Sequence, residues 1–545
     1  MALQQLGKLE QGSPDSQVAA FYGFRGGLNV KAAPQLVGDE DLTQAFQGYL
    51  RPDGAFQLRN GMVTYGSVVA AGSGQLILAR FYQDIKNGAS VAETRSLLGQ
   101  FNGTLYSIPS SGAATTLGTI NGTQMTTCRM QDPNDPNFVS GLTDVTVICT
   151  GVAGSGPYIW DGTNLYTPTG WSLASGASWC ATVNGITWFG GIPLYPNQIF
   201  GTGDGIIASM ESLPAYRNFV LSAPVTGIVA QGTGATATLV IGRNSGVSVL
   251  SGTGPSTFYL QDVPFQDGVT AGRTMISANG VVYWLGRNGE YRFDAQTVPA
   301  VISKKIEPWI LNDPFTPGYP LALNRTLSWS AIYNNRLHLG YCTVNSTPDT
   351  ILVYDLDLSA WTVLQTQPGL ASMCLLDAPG DPSPYGCIAG SSINGQAYTW
   401  DYVTQTSTAS NVTDAGVPVL GIARSKYFKL GAPATNKMLE RFSPDLLVAG
   451  VMTLNFFCAY NYGTQTVAMS STSSTVVATV GDWDIGFWDA CAFDSVATTM
   501  ASFIPRIDTQ AVQGEAFGFG VSMFQASPVW IWSGASVVFQ QGGRT

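Results

Sequence analysis

Residues that could carry out chemistry are scarce in this sequence. The chain has one histidine, His338, within the alternating segment Asn335-Arg-Leu-His-Leu-Gly-Tyr, a pattern typical of a strand. Because no second histidine exists, a centre with several histidine ligands is excluded, and a Ser-His-Asp triad would depend on this residue alone. No GxSxG, Walker A or GxGxxG sequence is present. We therefore expect His338 to be structural and the chain to be non-enzymatic, without catalytic residues, cofactor or metal.

Three short segments imitate functional loops. Gly201-Thr-Gly-Asp-Gly205 lacks the last glycine of a dinucleotide-binding turn, and we interpret it as a flexible loop. Asp482-Trp-Asp484-Ile-Gly begins like a calcium loop, in which alternate carboxylates face one cation, but its twelfth position is Phe493 instead of glutamate. We interpret it as a capped turn. Asp355-Leu-Asp357 is interpreted as a turn with solvated carboxylates.

The composition favours β structure with a neutral surface. Charged residues make up only 11% of the 545-residue chain, against about 25% in an average soluble protein. The 63 glycines and many Ser, Thr and Asn residues form helices poorly and favour strands and turns. The net charge of −10, without any cluster of Lys and Arg, argues against a protein that grips phosphate backbones. The length predicts roughly two to four domains.

The cysteines are expected to be buried free thiols rather than disulfides or metal ligands, because they are scattered and no CxxC pair occurs. The first ten residues lack the apolar core of a secretory signal, and no apolar run reaches the ~18 residues of a spanning helix. We therefore expect folding in a cytoplasm. The eight cysteines are Cys128, Cys149, Cys180, Cys342, Cys374, Cys387, Cys458 and Cys491.

A loose repeat predicts a β-propeller of six or seven blades over residues 63–412. Each unit has a strand, an Asn-Gly or Asp-Gly turn and an aromatic-rich strand, and most units recur at roughly the 40–50-residue spacing of propeller blades. Radial stacking gives such hairpins a shared core and leaves only short edges. Barrels and sandwiches remain alternatives. Examples are Phe101-Asn-Gly-Thr-Leu-Tyr, Asn184-Gly-Ile-Thr-Trp-Phe, Asn279-Gly-Val-Val-Tyr-Trp and Asn394-Gly-Gln-Ala-Tyr-Thr-Trp.

The two ends of the chain differ from this repeat. Residues 1–62 predict a flexible tail of about 20 residues followed by an extended N-terminal arm, with a short helix near Glu40 to Gln47. The Ser- and Thr-rich segment from Thr406 to Val417 is interpreted as a linker. Residues 413–545 contain longer alternating strands and predict a C-terminal β-sandwich-like domain. The fold class is therefore predicted to be all-β.

The block from Phe21 to Met62 resembles the N-terminal region of tail nozzle proteins (tail tubular protein B-like) and packaged-DNA stabilisation proteins of short-tailed bacteriophages. An aromatic-Gly-Gly stretch, a proline, an acidic position, an Arg-x-x-Gly turn and a terminal Arg-x-Gly occur in the order of that family. Val353 to Trp361 is similar to the acidic strand ending in tryptophan. The matching positions are Phe24, Gly26, Gly27, Pro34, Glu40, Arg51, Gly54, Arg59 and Gly61.

The resemblance implies a structural virion protein that forms a homohexameric nozzle, closes the portal channel and conducts DNA during ejection. It further implies contacts with the portal adaptor and with tail fibre or spike proteins, a place at the tail tip after assembly in the host bacterial cytoplasm, and possible contact with the host outer surface. Viral DNA would pass without specific binding. The subunit-docking residues implied are Phe24, Gly26, Gly27, Pro34, Arg51 and Arg59.

Two alternatives stay open. A receptor- or glycan-binding tail propeller could stack sugars on Trp160, Trp188 or Trp400, although packing in a blade core is the commoner use of such residues. A carbohydrate-active enzyme needs only two carboxylates and a sugar cleft, but the Ser-x-Asp-x-Gly-x-x-Trp box of sialidase blades is absent. The number of subunits would separate a nozzle from a trimeric fibre or a monomeric enzyme.

Overall fold

Strands dominate the computed structural model, as the composition predicts. The model describes residues 4–6, 16–33, 36–87, 90–131, 144–203, 212–295, 297–311, 324–342, 348–376, 386–401, 412–430, 435–448, 452–462, 466–474, 501–503, 507–523 and 529–541. The N-terminal strands are β1 (Gln4–Leu6), β2 (Ser16–Tyr22), β3 (Gly27–Leu28), β4 (Asp41–Phe46), β5 (Gly48–Leu50), β6 (Phe56–Leu58) and β7 (Val63–Tyr65).

The next strands form the seven antiparallel blades of a propeller; six blades are separate four-stranded sheets, and the sixth is a four-stranded part of a larger sheet. Blade 1 contains β8 (Ile77–Asn87), β9 (Ser90–Phe101), β10 (Thr104–Ile108) and β11 (Thr115–Thr119). Blade 2 contains β12 (Thr126–Gln131), β13 (Asp144–Cys149), β14 (Tyr158–Trp160) and β15 (Leu165–Tyr166). Blade 3 contains β16 (Trp179–Val183), β17 (Ile186–Gly190), β18 (Gln198–Gly201) and β19 (Asn218–Val220).

The remaining blades follow in chain order. Blade 4 contains β20 (Val225–Gln231), β21 (Thr238–Arg243), β22 (Val247–Ser251) and β23 (Tyr259–Asp262), and blade 5 contains β24 (Ile276–Ala278), β25 (Val281–Leu285), β26 (Glu290–Phe293) and β27 (Ala300–Val301). Blade 6 contains β28 (Trp329–Tyr333), β29 (Arg336–Tyr341), β30 (Thr350–Asp355) and β31 (Ala360–Gln365). Blade 7 contains β32 (Leu370–Leu376), β33 (Gly386–Ser391) and β34 (Ala397–Trp400).

The ring is closed by the N-terminal strand β7, which pairs with β34 and completes blade 7. The first strand of each blade contacts its neighbours around the ring, and β32 of blade 7 returns to β8 of blade 1. Apolar side chains fill each space between adjacent blades, so every blade packs on both of its faces. The core between blades 5 and 6 is continuous with the core of the sandwich. The propeller prediction is therefore confirmed, and the blade count is seven.

The hairpin turns within the blades follow local sequence rules. Asn102, Asn184 and Asn279 each have positive φ and are followed by a glycine with positive φ, as a tight turn between twisted strands requires. In blade 6 the pair Asn334-Asn335 takes the same role. Asparagine tolerates this left-handed conformation better than other residues with a Cβ. The Asn-Gly positions therefore mark real hairpins.

The C-terminal strands form a short hairpin of the first two strands and two larger sheets that face each other. They are β35 (Thr413–Asp414), β36 (Val417–Pro418), β37 (Ile422–Phe428), β38 (Lys437–Val448), β39 (Met452–Tyr460), β40 (Thr466–Ser474), β41 (Ala501–Phe503), β42 (Ile507–Gly514), β43 (Phe517–Ser522) and β44 (Trp530–Gln541). One sheet is built around β38 and β44, and the other around β37, β43 and β39. Phe442 of the first stacks on Phe519 of the second at 5.0 Å, which is sandwich packing.

The N-terminal strands complete both sheets of this sandwich. Strands β2 and β6 pair with β44, while β4 pairs with β37 on one edge and, in parallel, with β31 of blade 6 on the other. The sheet of blade 6 therefore continues into the sandwich through β4. The segment from Asp41 to Phe46 is a strand and not the predicted helix, because pairing on both edges outweighs its weak local preference. Ser16 to Tyr22 is likewise a strand and not part of a flexible tail.

Helical segments are few and short in the described residues. The α-helix is Glu307–Ile310, and the 3-10 segments are Thr169–Ala174, Ala215–Arg217, Gly234–Thr236, Gly272–Thr274, Lys304–Ile306 and Arg325–Leu327. Among the residues described, no helix has the length and apolar character needed to cross a bilayer.

Candidate functional site: the junction of propeller and sandwich

A buried arginine holds the junction between the propeller and the sandwich. Both terminal nitrogens of Arg59 donate to the carboxylate of Asp414, with Nη1 at 2.8 Å from Oδ1. The Nε of Arg59 donates to Oε1 of Gln47 at 3.0 Å, and Nη1 also donates to the carbonyl of Asn60 at 3.0 Å. The guanidinium lies over the ring of Trp400 at 5.2 Å. Arg59 and Asp414 are 1% and 3% exposed, so this is a desolvated, two-pronged ion pair.

The backbone around this pair explains its position. Met62 donates to the carbonyl of Thr413 at 2.9 Å, and Ala415 donates to the carbonyl of Met62 at 2.9 Å. A Cβ on Gly61 would lie 2.0 Å from the carbonyl oxygen of Thr413, so only glycine permits this approach. Strands β6 and β7 thus run directly past the β35–β36 hairpin, and the side chain of Arg59 reaches Asp414 across it.

Aromatic and polar side chains form the propeller wall of the junction. Arg336 donates from Nε to Asp355 at 3.2 Å and from Nη2 to the carbonyl of Leu50 at 3.0 Å. Its guanidinium lies 4.6 Å from the ring centre of Tyr49. Tyr49 stands edge-on to the ring of His338, with 6.2 Å between ring centres. Residues of blade 6 therefore contact β5 of the sandwich directly.

Burial and neighbouring charges together determine the pKa values of these groups. Burial alone would lower the pKa of Arg59, but the charge and hydrogen bonds of Asp414 outweigh it and raise that pKa above its ordinary value. Burial raises the pKa of Asp401, whose carboxylate accepts the backbone N–H of Asn60 at 3.0 Å. Burial and the charge of Arg336 lower the pKa of His338 to about 3. His338 is therefore neutral at physiological pH.

His338 has the structural character predicted from its strand pattern. It lies in β29, is fully buried, and its Nδ1 is 3.2 Å from the carbonyl oxygen of Arg336. Its Nε2 has no hydrogen-bond partner among the described residues. A buried, neutral imidazole walled by aromatic rings has no access to a substrate.

The Gly26-Gly27 pair places the chain against blade 6 and the 3-10 segment Lys304–Ile306. Gly27 has φ +65°, and a Cβ there would lie 2.8 Å from the carbonyl oxygen of Trp361. A Cβ on Gly26 would overlap the carboxylate of Asp41 at 1.9 Å. Lys305 donates from Nζ to Asp41 at 2.8 Å and to the carbonyl of Gly26 at 2.7 Å. The two glycines therefore permit close packing inside the chain.

The other predicted docking residues have different surroundings. Phe24 is 2% exposed, and its ring lies 4.6 Å from that of Trp532 in the sandwich core. Arg51 is partly exposed, in a turn where its Nε is 3.3 Å from Asp53. Pro34 lies outside the described residues. Phe24, Gly26, Gly27 and Arg59 thus act within their own chain, and docking of this block to another subunit stays a prediction.

A surface pocket of about 300 Å³ opens beside the Arg51 turn. Its wall includes one guanidinium and two carboxylates. The lining residues are Tyr22, Gly23, Arg25, Glu40, Asp53, Ala55 and Ser533.

The tryptophans considered for sugar stacking are core residues. Trp160, Trp188 and Trp400 are 6%, 2% and 1% exposed and pack between blades. Of the loop candidates, Asp355 caps its turn by accepting the backbone N–H groups of Asp357 and Leu358. The Asp482 segment and part of the Gly201 loop lie outside the described residues.

The partners of Arg59 were not predicted from the sequence. Asp414 is in the segment interpreted as a linker, and Gln47 is in the segment interpreted as a helix. Gln47, just after β4, has a positive φ of 64°. The glycine that follows it is the one feature of the local sequence that indicates a turn there. Asp41 and Lys305 also lack a local signal, because they are 264 positions apart.

The fold and this junction define a seven-bladed β-propeller joined through blade 6 to a β-sandwich. Neither a protein-family model nor a curated protein sequence matches the chain.

Several solved structures are weakly similar. The WD40 domain of Neurospora crassa Pan2 matches over 65% of this chain and 97% of that domain, with 12% identity and a TM-score of 0.34. An exo-β-1,3-galactanase from Phanerochaete chrysosporium, solved with galactose, matches over 88% of this chain and 100% of that one, with 9% identity and a TM-score of 0.22. BBS1N in complex with ARL6DN matches over 61% and 85%, with 13% identity and a TM-score of 0.27. Similarities this low carry no argument about function.

Proposed function

We propose that this chain is a structural virion protein that forms the tail nozzle of a short-tailed bacteriophage. In this role it closes the portal channel and conducts DNA during ejection. The observation that carries the proposal is the position of the Phe21 to Met62 block. Of the residues that resemble the nozzle family, Gly27 and Arg59 lie where the propeller meets the sandwich, and Phe24 packs in the sandwich core.

The charge distribution supports this role. A chain with 11% charged residues can bury large contacts with copies of itself without stranding unpaired charges. The net charge of −10 per chain would repel DNA, so DNA would pass through a ring of such subunits without being held. We therefore expect a homohexamer at the tail tip, assembled in the host bacterial cytoplasm and in contact with the portal adaptor and fibre or spike proteins.

Subunit number is the direct test. Light scattering on the purified chain should give six times its 57.6 kDa mass, and negative-stain images should show a six-fold ring. Antibodies against the chain should label the tail tip of the virus. A trimer would instead indicate a fibre. A monomer that hydrolyses bacterial surface polysaccharide would refute the nozzle and indicate an enzyme.

DNA transit can be tested separately from assembly. Duplex DNA mixed with the purified assembly at 50 mM salt should show no change in electrophoretic mobility, because phosphate binding requires clustered cations. Tight binding that weakens steeply with salt would contradict passive conduction.

The glycan-binding alternative is not favoured by a specific observation. The tryptophans that could have stacked on sugars are buried between blades, so a sugar would have to displace core packing to reach them.

A further inference from the structure

Three cysteines converge between blades 2 and 3. Cys128 lies in β12 and Cys149 in β13, where the strand register pairs Cys128 with Val147 and Thr126 with Cys149. Residues two apart on a strand, and residues paired across strands, share one face of a sheet. Both thiols therefore project from the same face of blade 2. That face packs against blade 3, in the apolar cluster that also contains Cys180 of β16.

The thiol of Cys180 contacts both strands of blade 2 that carry the other two cysteines. Its Sγ lies 3.7 Å from the carbonyl oxygen of Thr126 and 3.9 Å from that of Val147, which are the register partners of Cys149 and Cys128. Cys180 therefore shares one apolar cluster with Cys128 and Cys149. Cys149 and Cys180 are 1% and 3% exposed, whereas Cys128 is partly exposed. All three are free thiols in this structure.

We propose that Cys128 and Cys180 form a disulfide that links the first strands of blades 2 and 3 under oxidising conditions. Cys128 is the entry point because it is the least buried residue of the three. Cys180 is the resolving thiol because it lies in the neighbouring blade within reach of Cys128. This inference does not depend on the proposed function.

The reaction needs a low-molecular-weight disulfide as oxidant. The Cys128 thiolate attacks one sulfur of the oxidant, whose S–S bond breaks and releases one thiol. The Cys180 thiolate then attacks Sγ of Cys128, forms the protein disulfide and releases the second thiol. Two protein thiols are oxidised, the small disulfide is reduced to two thiols, and the two protons from the protein appear on those products.

Burial of the thiols determines the rate of disulfide formation, and the position of the disulfide determines its effect on thermal stability. Burial raises the pKa of the Cys128 and Cys180 thiols well above the usual value, so thiolate is scarce at neutral pH. The rate should therefore rise about tenfold per pH unit between pH 7 and 9. Once formed, the link constrains the unfolded chain between the two blades, and we expect a thermal midpoint higher by about 4–8 °C.

The test uses the full chain with oxidised glutathione at pH 8.5, followed by alkylation and chymotrypsin digestion. Cleavage after aromatic residues such as Phe138, Tyr158 and Trp179 puts the three cysteines on separate peptides, which trypsin would not achieve. Mass spectrometry should find a peptide linking Cys128 to Cys180. The link should form while the near-ultraviolet circular dichroism stays that of the folded protein.

Two variants and an internal control define the outcome. Cys149→Ser should keep the link, whereas Cys180→Ser should stop at a glutathione adduct on Cys128. Cys374 and Cys387 lie on adjacent strands one register step apart, hence on opposite sheet faces, and should not link. A Cys149–Cys180 peptide in place of the expected one, or a glutathione adduct on Cys128 of the unmutated chain that never resolves, would overturn the proposal. Equal thermal midpoints of the reduced proteins would show that each serine variant folds.

Discussion

Replacing Arg59 by methionine should make local opening of the junction between propeller and sandwich more frequent. Methionine has a similar length but cannot pair with Asp414, which is 3% exposed and would become a buried charge without its cation. Removing one partner of a buried ion pair typically costs about 3–5 kcal/mol. Since every 1.4 kcal/mol is a factor of ten, amides that exchange by local opening here should exchange about 150- to 4,000-fold faster.

Hydrogen–deuterium exchange at the amides of Met62 and Ala415 reports this opening, since each donates across the junction. Arg51→Met is a matched control in the same block, because the Arg51–Asp53 pair is partly exposed and such pairs contribute about 0–1 kcal/mol. It should accelerate exchange less than about fivefold.

The double variant Arg59→Met with Asp414→Leu sharpens the test. Replacing both members of a buried pair by apolar residues is often neutral, so exchange should return to within about tenfold of the original chain. Equal increases in the exchange rates for Arg59→Met and Arg51→Met would refute a stabilising role of the buried ion pair. Faster exchange in the double variant than in Arg59→Met would also refute it, because the cost would then come from packing and not from an unpaired charge.

Three further perturbations test the packing. The carboxyl of Glu290 is fully buried without a hydrogen-bond partner among the described residues, and burial raises its pKa in the folded state well above that in the unfolded chain. Above the ordinary pKa of glutamate, the unfolded chain has lost this proton while the folded protein still holds it, so the folded state becomes less stable as pH rises. Glu290→Gln should therefore raise the thermal midpoint by about 2–4 °C at pH 8 and hardly at pH 4. The exposed control Asp357→Asn should not show this difference between the two pH values. Gly27→Ala should destabilise the chain in urea by about 2 kcal/mol more than Gly23→Ala, because both glycines have positive φ but an added Cβ meets no atom within 4 Å at Gly23; equal losses would refute the contact argument. Trp188→Ala should cost about 3–5 kcal/mol in the same assay without changing retention on immobilised bacterial polysaccharide; a loss of retention would revive the glycan-binding alternative.

Local sequence was sufficient for the strand-turn-strand units. Asn184-Gly185 and Asn279-Gly280 adopt the positive φ values that the hairpin rule requires, and those values depend on the residues in the turn alone. The longer strands predicted in residues 413–545 likewise occur, for example β38 (Lys437–Val448). The buried position of His338 in a strand and the all-β class also follow from composition and short-range pattern.

Only the tertiary structure decided how these units are joined. Arg59 and Asp414 are 355 positions apart, and nothing near either residue specifies the other. Asp41 to Phe46 is a strand because β31 and β37 supply hydrogen bonds on both of its edges. Closure of the ring by β7 depends in the same way on β34. Turn conformation is a short-range property of the chain, whereas strand pairing and ion-pair burial depend on which distant segments meet once the core has formed.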